Sequence, residues 1–92
     1  MINQIVLVGK IEEIDSSSSN KKKIKLGVER PFDESKGRVF DVFVCQLWNS
    51  IFSKITSVCN IGDMLAIRGR IEEDNNEYIV IAENVVLLNK SK

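Results

Sequence analysis

Residues 38–48 read RVFDVFVCQLW and residues 49–58 read NSIFSKITSV, and the junction between them decides the fold. In an extended chain, alternate side chains point to opposite faces. Val39, Asp41, Phe43, Cys45 and Leu47 then share one face, and Phe40, Val42, Val44, Gln46 and Trp48 share the other. Both faces are apolar for much of their length. In so small a domain this requires two buried faces or a ligand on one of them. Past Trp48 the period changes. Asn49 is placed to cap a short helix from Ser50 to about Val58, with Ile51, Ile55 and Val58 on one stripe.

Upstream, the stretch Ile5 to Ile14 reads as a first strand, with Ile5, Leu7, Gly9 and Ile11 on one face. Its other face carries Val6 and Val8 before turning polar at Lys10 and Glu12. Ser16 to Asn20 is a polar tract suited to a hairpin loop. A second strand, Lys22 to Glu29, alternates strictly, with Ile24, Leu26 and Val28 inward and Lys23, Lys25 and Gly27 outward. Pro31 to Gly37 interrupts it with turn-forming residues. Downstream of the helix, Asn60 to Asp63 forms a turn. A fourth strand, Met64 to Glu72, then sets Leu65, Ile67, Gly69 and Ile71 against Arg68 and Arg70. Asp74-Asn75-Asn76 reads as a tight hairpin tip leading to a fifth strand from Glu77 to about Ala82. A further extended segment runs from Val85 to Leu88.

The resulting order is β-β-β-α-β-β. An all-β, five-stranded Greek-key OB-fold barrel uses that order, with one short helix between strands three and four closing its bottom. Gly9 and Gly69 inside strands suit the bends that close a small barrel. An SH3-like barrel is the main rival, and a two-turn helix at this place argues against it.

Ninety-two residues make one domain, 1–92, with nearly every apolar residue needed for one core. No apolar run is long enough to span a bilayer, and the opening Met1-Ile2-Asn3-Gln4 lacks the basic and apolar regions of a signal peptide. The expectation is a cytoplasmic protein without a membrane role. Thirteen basic and thirteen acidic residues cancel, yet they segregate along the chain. Lys21, Lys22, Lys23 and Lys25, followed by Arg30, Lys36 and Arg38, make a basic stretch, whereas Glu72, Glu73, Asp74 and Glu77 gather late. A neutral total is compatible with a positive face, and also with two solvated hairpin tips. Histidine is absent, and Cys45 and Cys59 lack metal-ligand or CxxC spacing, so no metal or cofactor is expected and both cysteines read as buried thiols.

Several stretches in register resemble the bacterial single-stranded DNA-binding protein family. They are Asn3 to Ile11, Val28-Glu29-Arg30-Pro31-Phe32, Asp41 to Trp48, Ile61 to Ile71, and Tyr78 to Leu88. Together they cover almost the whole chain. The resemblance implies sequence-independent binding of single-stranded DNA in replication, recombination or repair, with bases stacked on aromatic rings and phosphates held by Lys and Arg. It places Phe32 and Trp48 at stacking positions. Phe32 sits in a polar turn region, where a large ring has little local reason to be buried. Trp48 reads either as a stacking ring or as a core residue against the helix. Lys25, Arg30, Arg38, Arg68 and Arg70 fall on outward strand positions and are the phosphate-binding candidates. The resemblance also implies a homo-oligomer, a dimer or a tetramer.

The sequence departs from the family at three places. Val42 stands where an aromatic is frequent, and Phe40, two residues earlier on the same face, is either its substitute or part of a subunit interface. The hairpin after the fourth strand is short and acidic. The sequence stops at Lys90-Ser91-Lys92 without the family's acidic tail, which, with the acidic hairpin, puts in question both the strength of DNA binding and the tail-mediated recruitment of replication and repair enzymes that the resemblance implies. Two rival classes stand beside DNA binding. An enzyme would need paired titratable groups in a cleft, and here the acids sit mostly at turns and no histidine can activate a cysteine. A primosome-type OB adaptor, binding replication proteins with weak DNA affinity, shares the resemblance and lacks the tail.

Overall fold

The alternation of apolar and charged residues in β2 (Lys22–Glu29) shows the origin of the architecture. Ile24 and Leu26 are fully buried and Val28 partly so, whereas Lys25 and Glu29 point to solvent. The same period builds β1 (Ile5–Asp15), β3 (Phe40–Leu47), β4 (Met64–Asp74) and β5 (Glu77–Asn89), with the helix α1 (Asn49–Thr56) between β3 and β4. The computed structural model describes residues 3–16, 22–30, 37 and 39–90. The expected stacking residue Phe32, the phosphate candidate Arg38, Lys21 and Lys36 of the basic stretch, and most of the Ser16–Asn20 loop lie outside the described residues.

The strands close into a barrel in the order β1-β2-β3-β5-β4, with β4 returning to β1. All pairings are antiparallel except the closing one. There β3 meets β5 in parallel through Cys45 opposite Val80 and Gln46 opposite Ile81. This is the OB architecture expected from the element order. The core is filled by Ile11, Ile24, Leu26, Cys45, Leu47, Leu65, Ile67, Val80 and Ala82, with Phe52 and Ile55 of α1 covering one end. Both cysteines are free and buried, and burial pushes the Cys45 thiol up to about 12.

Close backbone approach explains two of the strand glycines. A Cβ at Gly9 would collide with the Gly27 carbonyl, and one at Gly69 with the Ile81 carbonyl. Neither neighbour can retreat, because both are ladder backbone. Bulges do the remaining bending. One follows Ile11 in β1, so that Ile14 instead of Glu13 turns toward the interior. Another lies at Glu83 in β5, between the pairs Arg68–Asn84 and Gly69–Ala82. The two extended segments read after the acidic hairpin are therefore one strand with a bulge. Asn75 and Asn76 at its tip both adopt positive φ, 50° and 65°, as a two-residue primed turn requires.

Three local expectations are corrected. Trp48, extended at φ −65° and ψ 148°, occupies the cap position of α1, and Asn49 is already helical. The strand runs directly into the helix, and the Trp48 carbonyl accepts the Phe52 N–H at 2.8 Å. The helix ends at Thr56, where the Thr56 and Ser57 hydroxyls donate to the Phe52 and Lys54 carbonyls. The buried stripe is then Phe52, Ile55 and Cys59, and Val58 points outward. Ile71, expected inward, is partly exposed, because β4 has passed the closed part of the barrel by that point. None of the described helices is long and apolar enough to cross a membrane.

Candidate nucleic-acid interface

The outward row of β3 is the most unusual surface of the barrel. Phe40 (46% exposed), Val42 (56%), Val44, Gln46 and Trp48 (64%) follow one another at every second residue. At the rise of an extended chain, the row from Phe40 to Trp48 is about 26 Å long. On its β2 side lie Glu29, Gly27, Lys25 and Lys23, opposite Phe40, Val42, Val44 and Gln46 respectively. On the other side Ile81 of β5 pairs with Gln46, and Arg70 of β4 pairs with Ile81. The closure of β3 on β5 thus carries β4 residues to Trp48.

An open groove of about 480 Å³ results, lined by Gln46, Leu47, Trp48, Asn49, Ser50, Arg70, Glu72 and Ile81. Leu47 and Ile81 are buried and form its apolar lining. Trp48 is held at the junction of strand and helix, a place set by backbone hydrogen bonds and not by core packing, so its ring stays in solvent. Of the sequence-derived candidates among the described residues, only Arg70 and Trp48 meet in this groove.

The cations are less free than their sequence positions imply. Lys25 lies 3.0 Å from Glu13 across the β1–β2 ladder. Arg30 makes two 2.7 Å hydrogen bonds to the carboxylate of Asp41, one from Nε and one from Nη2. These bonds raise the Arg30 pKa and hold the Asp41 carboxyl below its ordinary range. Arg30 also continues the inner row of Leu26 and Val28 where it emerges at the barrel rim, so it does not share the face of Phe40 and Val42. Arg70 donates from Nε to Glu72 Oε2 and from Nη1 to Glu83 Oε2, each at 2.8 Å, and its Nη2 lies 2.7 Å from the same Glu72 oxygen as an ion-pair contact. Hydrogen bonding to Glu72 is the main reason its pKa is raised. Arg68 makes no ion pair among the described residues, but it sits elsewhere, opposite Val6 of β1 and Asn84 of β5.

That second surface was only half visible in the sequence. Val8 of β1 is opposite Ala66 of β4, which is opposite Val86 of β5. With exposed Val6 and Leu88 they make an aliphatic outer face on three strands. In the first site, Gln46, Ser50, Glu72 and Ile81 were missed. No local pattern could have found the last two, since a pairing of only two residues brings β5 to β3. Tyr78, 74% exposed, stands opposite Glu73 on the acidic hairpin and away from the groove lining.

No protein-family model and no curated protein matches the sequence. Solved structures do match its fold. The small single-stranded DNA-binding protein of Streptomyces coelicolor superposes with a TM-score of 0.69 at 13% identity, covering 95% of this chain and 94% of that one. The mitochondrial single-stranded DNA-binding protein of S. cerevisiae gives 0.79 at 11%, covering 100% and 99%. A small single-stranded DNA-binding protein of Mycoplasma pneumoniae gives 0.76 at 17%, covering 94% and 93%. At these identities the likeness is one of fold: the chain is an OB barrel built as small single-stranded DNA-binding proteins are built.

Proposed function

We propose that this chain binds single-stranded DNA without sequence requirement, as a non-catalytic cytoplasmic component of replication, recombination or repair. The observation that carries the reading is the outward β3 row, with Trp48 and Phe40 exposed at its two ends. Base–aromatic stacking contributes roughly 1–3 kcal/mol per base and is open to every base. Trp48 and Phe40 take bases from the sheet, and Phe32 adds the third ring. Phosphates fall first to Lys25, Arg30, Arg38 and Arg68, with Arg70, held between Glu72 and Glu83, the weakest of the candidates. For Lys25, Arg30 and Arg70 a phosphate must displace a carboxylate, so each contributes less than a free cation. A homo-oligomer completes the proposal. The aliphatic face of Val6, Val8, Ala66, Val86 and Leu88 is self-complementary in character and supports an isologous contact with a second copy.

The test is anisotropy of a labelled oligo-dT with Trp48→Ala, Phe40→Ala and Phe32→Ala variants whose folding is checked by circular dichroism. Each variant is expected to lose roughly 1–3 kcal/mol of binding. Folded variants that bind as tightly as the parent would remove the stacking mechanism. The pairing of three candidate cations with carboxylates favours a second reading, the primosome-type adaptor that binds replication proteins and holds DNA weakly. That reading leads if the parent protein fails to bind oligo-dT at low salt.

A further inference from the structure

The groove beside Trp48 differs from a phosphate site in its charge. One guanidinium, Arg70, faces two carboxylates, Glu72 and Glu83, within 2.8 Å. The cluster is therefore net negative, and a phosphate brought to it meets more repulsion than attraction. The Arg70 hydrogen bond and the closer ion-pair contact to Glu72 both fall on a single oxygen, Oε2. The other oxygen keeps its acceptor capacity, and Glu72 is 46% exposed at its side chain and lines the groove. An ionised carboxylate only accepts hydrogen bonds. Around it stand an indole ring for stacking, the buried Ile81 as an apolar floor, and the Gln46 amide, which both donates and accepts.

We infer that this groove takes one base stacked on Trp48, and selects bases that present an exocyclic amine to Glu72. The inference rests on the proposed single-strand binding and adds a base preference to it. Cytosine fits best among pyrimidines. Its N4 amine donates to a carboxylate, the pairing that Glu and Asp make with cytosine edges, while its N3 and O2 accept from a group such as the Gln46 amide. Thymine places the O4 acceptor where cytosine carries the amine, so it would set an oxygen lone pair against the carboxylate. Arg70 acts here as a positioning residue, holding Glu72 through one hydrogen bond and one further ion-pair contact to the same oxygen.

The experiment compares (dC)8 and (dT)8 by Trp48 fluorescence with the full chain and the variants Glu72→Gln and Glu83→Gln. The two pyrimidines have similar stacking area, so their ratio isolates the edge contact. One net hydrogen bond at this half-exposed carboxylate, at the ordinary strength of such a bond, predicts about two- to tenfold tighter binding of (dC)8. In E72Q the ratio falls toward one while (dT)8 affinity holds or rises, because a repulsive charge is removed and an amide can donate to O4. E83Q loosens the same guanidinium from a position outside the groove lining, and it keeps the cytosine preference. Equal binding of (dC)8 and (dT)8 by the parent overturns the inference and leaves single-strand binding intact. A loss of preference in E83Q equal to that in E72Q also overturns it, by assigning the effect to general charge. Binding of neither oligonucleotide overturns the underlying reading as well.

Discussion

The barrel has two outer surfaces produced by the same alternation, and they carry different chemistry. On β3 the outward residues are Phe40, Val42, Val44, Gln46 and Trp48, ending beside a polar groove. On β1, β4 and β5 they are Val6, Val8, Ala66, Val86 and Leu88, with Arg68 at the margin. Flat rings present a π-face that any base can cover. Branched aliphatic side chains have no such face and gain only by excluding water against another apolar surface. Alternation by itself therefore says that a residue points outward. The side-chain type then separates a surface suited to bases from one suited to a second copy of the chain.

The largest expected effect comes from the place where β4 passes from one surface to the other. Arg68 belongs to the aliphatic face and Arg70 to the groove, and Gly69 between them lies against the Ile81 carbonyl opposite the Glu83 bulge. Gly69→Ala must push two strands apart, and a loss of about 3 kcal/mol or more is expected in urea unfolding. A variant as stable as the parent would show that the close approach is not needed to hold the two surfaces in place. Next in size is Trp48→Ala, at roughly 1–3 kcal/mol of DNA binding with an unchanged thermal midpoint, since the ring packs against little. A drop in stability of similar size would instead make Trp48 a structural residue.

The aliphatic face should respond in the opposite sense. If the proposed homo-oligomer forms through this face, Val8→Glu or Val86→Glu shifts it toward monomer in sedimentation while leaving the circular dichroism spectrum intact. Unchanged mass would exclude this face as the subunit contact. A smaller effect is expected from the paired cations. Each phosphate neutralised on a single strand changes the log–log salt slope by about 0.7. Lys25→Ala or Arg30→Ala should change it by less than that, because a carboxylate already holds the charge. A full change of slope would show that DNA displaces the carboxylate completely.

The smallest effect is in acid. Hydrogen bonding to Arg30 holds the folded-state Asp41 pKa below its ordinary value of 3.8. Its contribution to stability is therefore complete above the unfolded-state value and is lost as pH falls through the lower folded value. A carboxyl-carbon titration should find the Asp41 midpoint below its ordinary value in the parent and raised in Arg30→Ala. Equal midpoints would show that the pair is not maintained in solution.

How far these features were legible from residues alone depended on their range in sequence. The β2 boundaries, Lys22 to Glu29, follow from strict alternation and are reproduced in the structure. The division of β3 into two faces followed for the same reason, but not which face is buried, at Cys45 and Leu47, and which is exposed, at Phe40 and Val42. The helix was found within two residues, but its cap was misplaced, because Trp48 itself makes the turn between strand and helix. What escaped was set by contacts distant in sequence. The bulge at Glu83 joins two apparent segments into β5. The short parallel pairing of Gln46 with Ile81 brings Arg70 and Glu72 to Trp48. Arg30 looked like an outward cation until the register placed Val28 opposite Asp41, and with it the carboxylate that Arg30 binds.

The most direct test of single-strand binding by stacking is a fluorescence titration of the protein with oligo-dT, repeated with a duplex of equal length. Trp48 is the sole tryptophan in the chain, so its emission reports on the groove alone. The account predicts that oligo-dT quenches Trp48 with an affinity that weakens as salt is raised, and that the duplex, whose bases are already stacked on one another, binds far more weakly. Equal affinity for the two nucleic acids, or tight binding of oligo-dT that leaves the Trp48 emission unchanged, would contradict it.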